Sequence, residues 1–416
     1  MSELNPPRKI VVGVSGGIAA YKACHVIRDL KEAGDDVRVV PTPNALNFVG
    51  AVTFEALSGH RVSTSVFDAV DEVQHVRIGQ EAQALVIAPA TADVIARLAA
   101  GRADDLLTST VLVATCPIVV APAMHTEMWL NAATRANVAT LRERGMIVME
   151  PAHGRLTGKD TGPGRLPEPN QIADLVRLAL DGHAPRFDWS GTKVLITAGG
   201  TQEALDPVRF LGNRSSGRQG YALAEVAVQR GAEVTIVAGA TDKLPVPSGA
   251  TVIKVVSTRD MADAVARLAP ESDVIVMAAA VADFRPATQA GSKLKKGADD
   301  QSLARIELIE NPDILATTVQ RRRDGQIPAG TVIVGFAAET GDATHSALEH
   351  AQAKLQRKGC DLMMANEVGE GKVFGEARNR GWLLGADGSV TEVSDASKLA
   401  VAAHILEAVD GVGLPN

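Results

Sequence analysis

Aromatic side chains are scarce: Phe, Trp and Tyr together make up 3% of the 416 residues. Stacking platforms of the kind that carry bases on successive rings are therefore not expected to carry the function. Cysteine is nearly absent. Cys24, Cys116 and Cys360 lie far apart, cannot all pair and form no C-x-x-C spacing, which excludes a disulfide-stapled framework. An excess of positive charge is also lacking. Lys and Arg number 42 against 49 Asp and Glu, a net charge of −7, which argues against a general nucleic-acid binder. No window approaches about 18 uninterrupted apolar residues, so no membrane span is expected. The opening MSELNPPRKIVVGVSGG lacks the apolar stretch of an export signal, and the cytoplasm is the expected location. The nine histidines include no HExxH and no Cys/His ligand cluster, so a structural zinc is not expected.

What is there is enough apolar residue to build cores: 46% of the chain, against 22% charged. At roughly 150 residues per domain the length suggests two or three domains. The first half alternates short Val/Ile runs, at 9–14, 37–40, 84–88, 118–121 and 146–149, with helical patterns such as 18–33, 134–144 and 172–180. Continuous apolar runs between helices predict strands buried on both faces, hence a parallel sheet. GHAPRFDWSG, at 182–191, has no apolar periodicity and reads as a linker. The rhythm then restarts, with strands expected at 193–197, 233–237, 251–255, 274–278, 331–336 and 361–364. Helices are expected at 217–230, 258–268, 342–357 and 395–409. The predicted fold class is α/β: two tandem doubly wound domains, 1–181 and 191–416, joined by 182–190.

In the first half, Gly13-Val14-Ser15-Gly16-Gly17-Ile18 turns from a strand into a helix. Small residues there let the backbone close on an anion at the helix N-terminus. It is neither a P-loop nor a complete G-x-G-x-x-G, and a plain tight turn reads equally well. Thr42-Pro43-Asn44, Pro89-Ala90-Thr91 and Pro122-Ala123-Met124 follow later strands. Open α/β sheets place ligands at these strand ends. His75 and His125 are candidate proton carriers, with an unperturbed pKa of about 6.5.

GVSGGIAAYK (13–22), His75-Val76-Arg77-Ile78, APATA (88–92), ADDLLT (103–108), PAMHTEMW (122–129) and GPGR (162–165) together resemble the flavin-dependent cysteine decarboxylase family. The resemblance implies a flavodoxin-like domain holding FMN at Ser15, Gly16, Gly17, Thr42, Pro89, Ala90 and Thr91. His75 is then the catalytic His, and His125 stands where the family has an Asn that contacts the substrate carboxylate. The implied chemistry is redox-neutral. The substrate thiol is oxidised to a thioaldehyde, loss of CO₂ leaves a delocalised enethiolate, and the electrons are returned. The family's flap carries a Cys before Gly-Asp; Leu156-Thr157-Gly158-Lys159-Asp160-Thr161 has none. Either another donor serves, with Lys159 and Asp160 as candidates, or this half stops at the enethiol.

In the second half, KVLITAGGT (193–201) is again a strand entering a glycine turn. DPVRFLGNRSSG (206–217) crowds Arg209, Asn213, Arg214 and two hydroxyls ahead of a helix, a donor set suited to phosphate or carboxylate or, as readily, a solvated capping loop. Lys293-Leu294-Lys295-Lys296 reads as a phosphate-covering flap or as a solvated run. Lys354 and Lys358 share one helix face.

AGGTQEALDPVR, NRSSG, AAAVADFRP, K-x-K-K, Asn311-Pro312-Asp313-Ile314, GFAAET (335–340), the Lys354/Lys358 pair and Ala365-Asn366 occur in order and closely resemble the phosphopantothenate–cysteine ligase domain, a Rossmann-like fold. A decarboxylase half followed by this half resembles the bacterial bifunctional enzymes of coenzyme A biosynthesis. The resemblance implies 4'-phosphopantothenate, cysteine and CTP as substrates, an acyl-cytidylate intermediate, and Mg²⁺ (or Mn²⁺). It places Ala279, Ala280, Val281, Asp283, Lys293, Pro312, Asp313, Ile314, Leu315, Phe336, Lys354 and Lys358 around CTP, with no metal ligands assigned. Asn213 then stabilises the reacting carboxylate, Arg209 positions it, and Lys293 acts on the acyl phosphate. The resemblance also implies a homo-oligomer, in which trimeric decarboxylase and dimeric ligase domains can close a dodecamer. A two-domain NAD(P)-dependent oxidoreductase would need a glycine fingerprint with an acidic residue about 20 residues on, convincing in neither half. An active ligase beside a non-catalytic flavin-binding domain stays open because of the missing flap Cys.

Overall fold

The computed structural model describes residues 6–65, 73–156, 160–294, 306–339, 346–367 and 378–414. The chain divides into two compact units, Met1–Asp188 and Trp189–Asn416.

The first unit is built on five strands: β1 (Lys9–Val14), β2 (Asp36–Pro41), β3 (Ala84–Ala90), β4 (Ile118–Pro122) and β5 (Ile147–Val148). All neighbours pair in parallel, in the order β2-β1-β3-β4-β5. This is the flavodoxin-like arrangement, with its reversal of direction between β1 and β3. Every residue of β3 is buried, so both faces of the sheet are covered, as the unbroken apolar runs predict. Ala20–Glu32 packs on Pro169–Leu180, and Ala92–Ala99 packs on Ala132–Glu143. The expected strand at 146–149 is only two residues long. It leads to a hairpin that periodicity does not reveal, β6 (Ala152–Arg155) against β7 (Thr161–Arg165).

The second unit begins at Trp189, inside the segment read as a linker. Its ring is 1% exposed, its Nε1 donates to Asp410 Oδ1 at 2.8 Å, and the Arg230 guanidinium lies 4.2 Å from its centre. The strands are β8 (Lys193–Ala198), β9 (Gln202–Ala204), β10 (Phe210–Gly212), β11 (Glu233–Ala238), β12 (Thr251–Lys254), β13 (Val274–Met277), β14 (Phe284–Pro286), β15 (Leu308–Glu310), β16 (Val332–Glu339), β17 (Leu362–Glu367), β18 (Arg378–Gly385) and β19 (Val390–Ser397). The main sheet runs β12-β11-β8-β13-β16-β17-β18-β19. Its first six strands are parallel, in the order of a dinucleotide-binding fold, with the direction reversing between β8 and β13. β18 and β19 extend it antiparallel. Two short antiparallel hairpins, β9–β10 and β14–β15, stand outside the sheet.

Helix Thr258–Leu268 falls where the sequence places it, because Ser257 and Asp260 form a capping box at its start. The helix expected at 342–357 is described as Ala347–Lys358; residues 342–345 lie outside the described residues. The helix expected from Asp395 starts at Lys398, because residues 395–397 belong to β19 and Ser397 caps the helix.

Candidate active sites

In the first unit a cavity of about 700 Å³ opens at the carboxyl ends of β1, β3 and β4, at the β1/β3 reversal. Of the residues expected around FMN, Gly17, Pro89 and Thr91 line it, and His125 joins them. Ser15, Gly16, Thr42 and Ala90 act one layer back. Ser15 is buried; its Oγ donates to the Pro89 carbonyl at 2.7 Å and accepts from Thr91 N at 3.0 Å. The hydroxyl thus clamps the first loop to the third. Gly16 lies so close to Asn44 that a Cβ would sit 2.6–2.9 Å from its Cβ, C and O atoms. Thr42 N donates to the Val14 carbonyl at 2.8 Å, and the Ala90 carbonyl accepts from Ala123 N at 3.0 Å. Helix Ala20–Glu32 has no side-chain cap; Ala20 N donates to the Gly17 carbonyl at 2.9 Å and Lys22 N to the Ala19 carbonyl at 3.0 Å.

Hairpin β6–β7 closes one wall. Met124 N donates to the Gly164 carbonyl at 2.9 Å, and Thr126 Oγ1 donates to the Pro163 carbonyl at 2.8 Å. Gly164 has φ +146, and a Cβ there would meet the Met124 carbonyl at 2.2 Å. Only glycine fits. Arg155, Leu156 and Arg165 of this wall face the cavity. Of the two flap candidates, Lys159 lies outside the described residues with Thr157 and Gly158, and Asp160 is exposed and off the cavity lining. Neither Cys24 nor Cys116 lines the cavity. His125 precedes the short helix Thr126–Leu130, and its Nδ1 lies 3.5 Å from Glu127 Oε2. His75 is elsewhere, on helix Gln74–Glu81. Its Nδ1 is buried without a partner among the described residues.

In the second unit a cavity of about 380 Å³ lies at the β8/β13 reversal. Ala279, Val281, Asp283, Pro312, Asp313, Ile314, Leu315, Phe336, Lys354 and Lys358 all line it, ten of the twelve residues expected around CTP. The other two do not. Ala280 is turned into the scaffold, its N donating to the Gly199 carbonyl at 2.8 Å, and Lys293 is exposed. Lys295 and Lys296 lie outside the described residues, as does Thr340. Asp313 caps helix Ile314–Arg323, its Oδ1 accepting from Ala316 N at 3.0 Å, while Oδ2 meets Lys358 Nζ. Burial pulls its pKa upward, but the Ala316 N–H and the Lys358 ammonium outweigh that and hold it below the usual carboxylate value.

Asn213 is held at the rim, its Nδ2 donating to the Val281 carbonyl at 2.8 Å. Gly200 makes room for it: a Cβ there would lie 2.5 Å from the Asn213 carbonyl oxygen. Beneath the cavity runs a buried network that the sequence does not betray, because its members stand at positions 203, 258 and 311. Glu203, 4% exposed, accepts at Oε1 from Thr258 N at 2.8 Å and Thr258 Oγ1 at 2.7 Å. The hydroxyl's one proton is thereby committed, so Thr258 accepts from Asn311 Nδ2 at 3.2 Å. Asn311 Nδ2 also donates to the Ala282 carbonyl at 2.9 Å, tying together two walls of the cavity. Arg209 faces Asp206 and Leu294 rather than the cavity.

A family model described as "Flavoprotein" matches residues 1–180, and one described as "DNA/pantothenate metabolism flavoprotein C-terminal domain" matches 189–412. A relative in Mycolicibacterium smegmatis, named coenzyme A biosynthesis bifunctional protein CoaBC, is 59% identical over 403 residues, 97% of each chain. The protein of that name in Mycobacterium tuberculosis is 58% identical over 404 residues, 97% of this chain and 96% of its own. The one in Vibrio vulnificus is 44% identical over 375 residues, 89% of this chain and 90% of its own. The chain belongs to the family of bifunctional enzymes of coenzyme A biosynthesis.

Proposed function

We propose that the second unit joins 4'-phosphopantothenate to cysteine using CTP, and that the first unit decarboxylates the product with FMN. The observation that carries this reading is the gathering of ten expected CTP residues around one cavity. A carboxylate resists attack by an amine because its leaving group would be oxide. In the proposed first step the carboxylate oxygen attacks the α-phosphorus of CTP and pyrophosphate departs. The cysteine amine then attacks the acyl carbon, CMP departs and the amine loses a proton. Lys354 and Lys358, on one face of helix Ala347–Lys358, neutralise phosphate charge. Asn213, at the rim, donates to the oxygen on which charge develops. Lys293 acts on the acyl phosphate. Asp283 faces the nucleotide. Mg²⁺ (or Mn²⁺), bound together with the triphosphate, would neutralise phosphate charge there.

The first cavity suits a flavin mononucleotide. Its walls carry apolar Ile18, Tyr21, Met124 and Met128 against an uncapped helix N-terminus and Lys22, so an apolar ring system and an anionic phosphate each find a match. When bound, FMN supplies the reversible oxidation that lets the substrate lose its carboxylate. His125, which lines the cavity, is read as holding that carboxylate. His75, off its own cavity, is read as serving the cavity of a neighbouring copy. Ile18, Tyr21 and Met128, at 78%, 55% and 48% exposure, provide an apolar rim for such a homo-oligomer. The cytoplasm remains the proposed location. Among the described residues no helix is long and apolar enough to cross a membrane.

Among the described residues the cavity lining carries no thiol, and this favours a second reading, in which the first unit releases the enethiol and the two electrons left on the flavin pass to an external oxidant such as dioxygen. Incubation with phosphopantothenate, CTP, Mg²⁺ and cysteine, followed by mass, tests both units. Phosphopantothenoylcysteine followed by a CO₂-depleted product supports the proposal. That product's mass separates 4'-phosphopantetheine from the enethiol two hydrogens lighter. Unconsumed CTP would refute the ligase assignment, and a colourless protein that takes up no FMN would refute the other.

A further inference from the structure

Asp206 has an unusual concentration of donors. It opens the turn between β9 and β10, followed by Pro207, and its residue is 2% exposed. Oδ1 accepts from Val208 N and Arg209 N, both at 2.8 Å, a side-chain-closed turn of the kind an Asp-Pro start favours. Oδ2 accepts from Arg209 Nε at 3.0 Å, from Arg209 Nη2 at 2.6 Å and from Leu294 N at 3.2 Å. Arg209 Nη2 also donates to the Leu294 carbonyl at 2.8 Å, so the Asp206–Arg209 pair grips both backbone groups of one residue. A third bond, from Ala290 N to the Leu205 carbonyl at 3.0 Å, lays residues 290–294 along the same turn.

A guanidinium has five N–H groups. The Nε hydrogen and both Nη2 hydrogens of Arg209 are spent on Asp206 and Leu294, which leaves the two on Nη1. The side chain is 36% exposed. The Arg209 guanidinium, helped by the backbone N–H groups, holds the Asp206 carboxyl far below the usual carboxylate range.

We propose that Asp206 is a positioning residue of the ligase site: it aims the open Nη1 edge of Arg209 and, through the backbone of Leu294, fixes Lys293 beside it. The proposal rests on the ligase reading of the second unit. Two cations that the chemistry needs at one carboxylate are thus set by one buried anion. Phosphopantothenate, the substrate whose carboxylate must be oriented, is the one that feels its loss. CTP, held by Asp283, Asp313 and the helix lysines, does not.

The test uses the full chain and follows pyrophosphate release, varying phosphopantothenate or CTP in turn with the other substrates and Mg²⁺ saturating, in the Asp206→Ala, Asp206→Asn, Asp206→Glu, Arg209→Ala and Asp206→Ala/Arg209→Ala variants. The flavin spectrum and the thermal melt check folding. In Asp206→Ala the KM for phosphopantothenate is expected to rise about tenfold or more and kcat to fall, with the KM for CTP within about twofold of the parent. Asp206→Asn, isosteric but with an amide turned on Arg209, should match it, and Asp206→Glu should recover part of the loss. Because Asp206 acts in part through Arg209 and in part through Leu294, the loss in the double variant should exceed that of Arg209→Ala but fall well short of the product of the two single losses. Parent-like kinetics in both Asp206→Ala and Asp206→Asn, an equal rise in both KM values, or fully multiplicative losses in the double variant would each overturn the proposal. A parent chain that consumes no CTP would instead overturn the ligase reading beneath it.

Discussion

Asn213 spends one of the two hydrogens on its Nδ2 on the Val281 carbonyl and keeps the other to donate. Its Nδ2 is held by the Val281 carbonyl, on the wall of the nucleotide cavity, so a group can be presented at the rim without belonging to the nucleotide's own contacts. Replacing Asn213 by Ala should therefore slow amide formation by about 10²–10³, the usual cost of one preorganised donor to a developing oxyanion. CTP affinity, measured by calorimetry, should stay near the parent value; a loss of CTP affinity as large as the loss in rate would place Asn213 in the nucleotide site instead. Asp313 and Lys358 make a second residue-scale prediction. A carboxylate whose folded pKa is depressed contributes stability above its unfolded value, and that stability is lost as pH falls through the folded value. Lys358 is one of the groups that depress Asp313, while burial pushes the other way. In Lys358→Met the Asp313 cap should therefore be lost at a higher pH than in the parent. Melting temperatures followed downward from neutral pH should begin to fall earlier in the variant. Coincident profiles would mean that the ion pair does not hold the cap.

At the scale of elements, the turn between β1 and helix Ala20–Glu32 depends on a close approach that only hydrogen at Cα permits. A Cβ on Gly16 would stand 2.8 Å from the Asn44 carbonyl carbon and 2.9 Å from its oxygen, and backbone cannot swing aside as a side chain can. Gly16→Ala should push the first loop from the second and yield protein with little bound FMN at 450 nm by the usual flavin absorbance, roughly a tenfold weaker site or worse. CTP consumption should stay at the parent rate. A yellow variant with parent flavin content would show that the loop yields. The sequence makes this turn legible because glycines cluster between an apolar run and a helical pattern. Strands Lys9–Val14 and Lys193–Ala198 are legible for the same reason, as runs buried on both faces. The pair β18–β19 is not: RNRGWLLG and VTEVSDAS mix polar and apolar residues, and β19 is largely exposed. Hairpins β9–β10 and β14–β15 have three-residue strands, too short for any period. The cavity lining was readable where it falls in short motifs, as in Pro312–Leu315. Glu203, Thr258 and Asn311, and the grip of Asp206 on Leu294, were not readable, because each joins residues more than 50 positions apart.

At the scale of the whole molecule, two chemistries on one chain need share nothing but the compound that passes between them. The amide made in the second unit carries the cysteinyl thiol and carboxylate on which the first unit acts, and it must leave one cavity before entering the other. His75 lies on a helix of the first unit and Asn213 on the rim of a cavity in the second, so each can be removed without touching the other's site. His75→Ala should accumulate phosphopantothenoylcysteine at the parent rate of CTP use and release no CO₂. Asn213→Ala should release CO₂ only when that intermediate is supplied. Mixed together, the two variants should restore conversion of phosphopantothenate to the decarboxylated product, because the intermediate is free to diffuse from one protein to the other. The measurement is CO₂ from carboxyl-labelled cysteine, with a lag that shortens as protein concentration rises and the intermediate builds up sooner. If each variant keeps its remaining activity but the mixture releases no label, the intermediate does not pass through solution, and the two units act on it by a route that free diffusion between chains cannot replace.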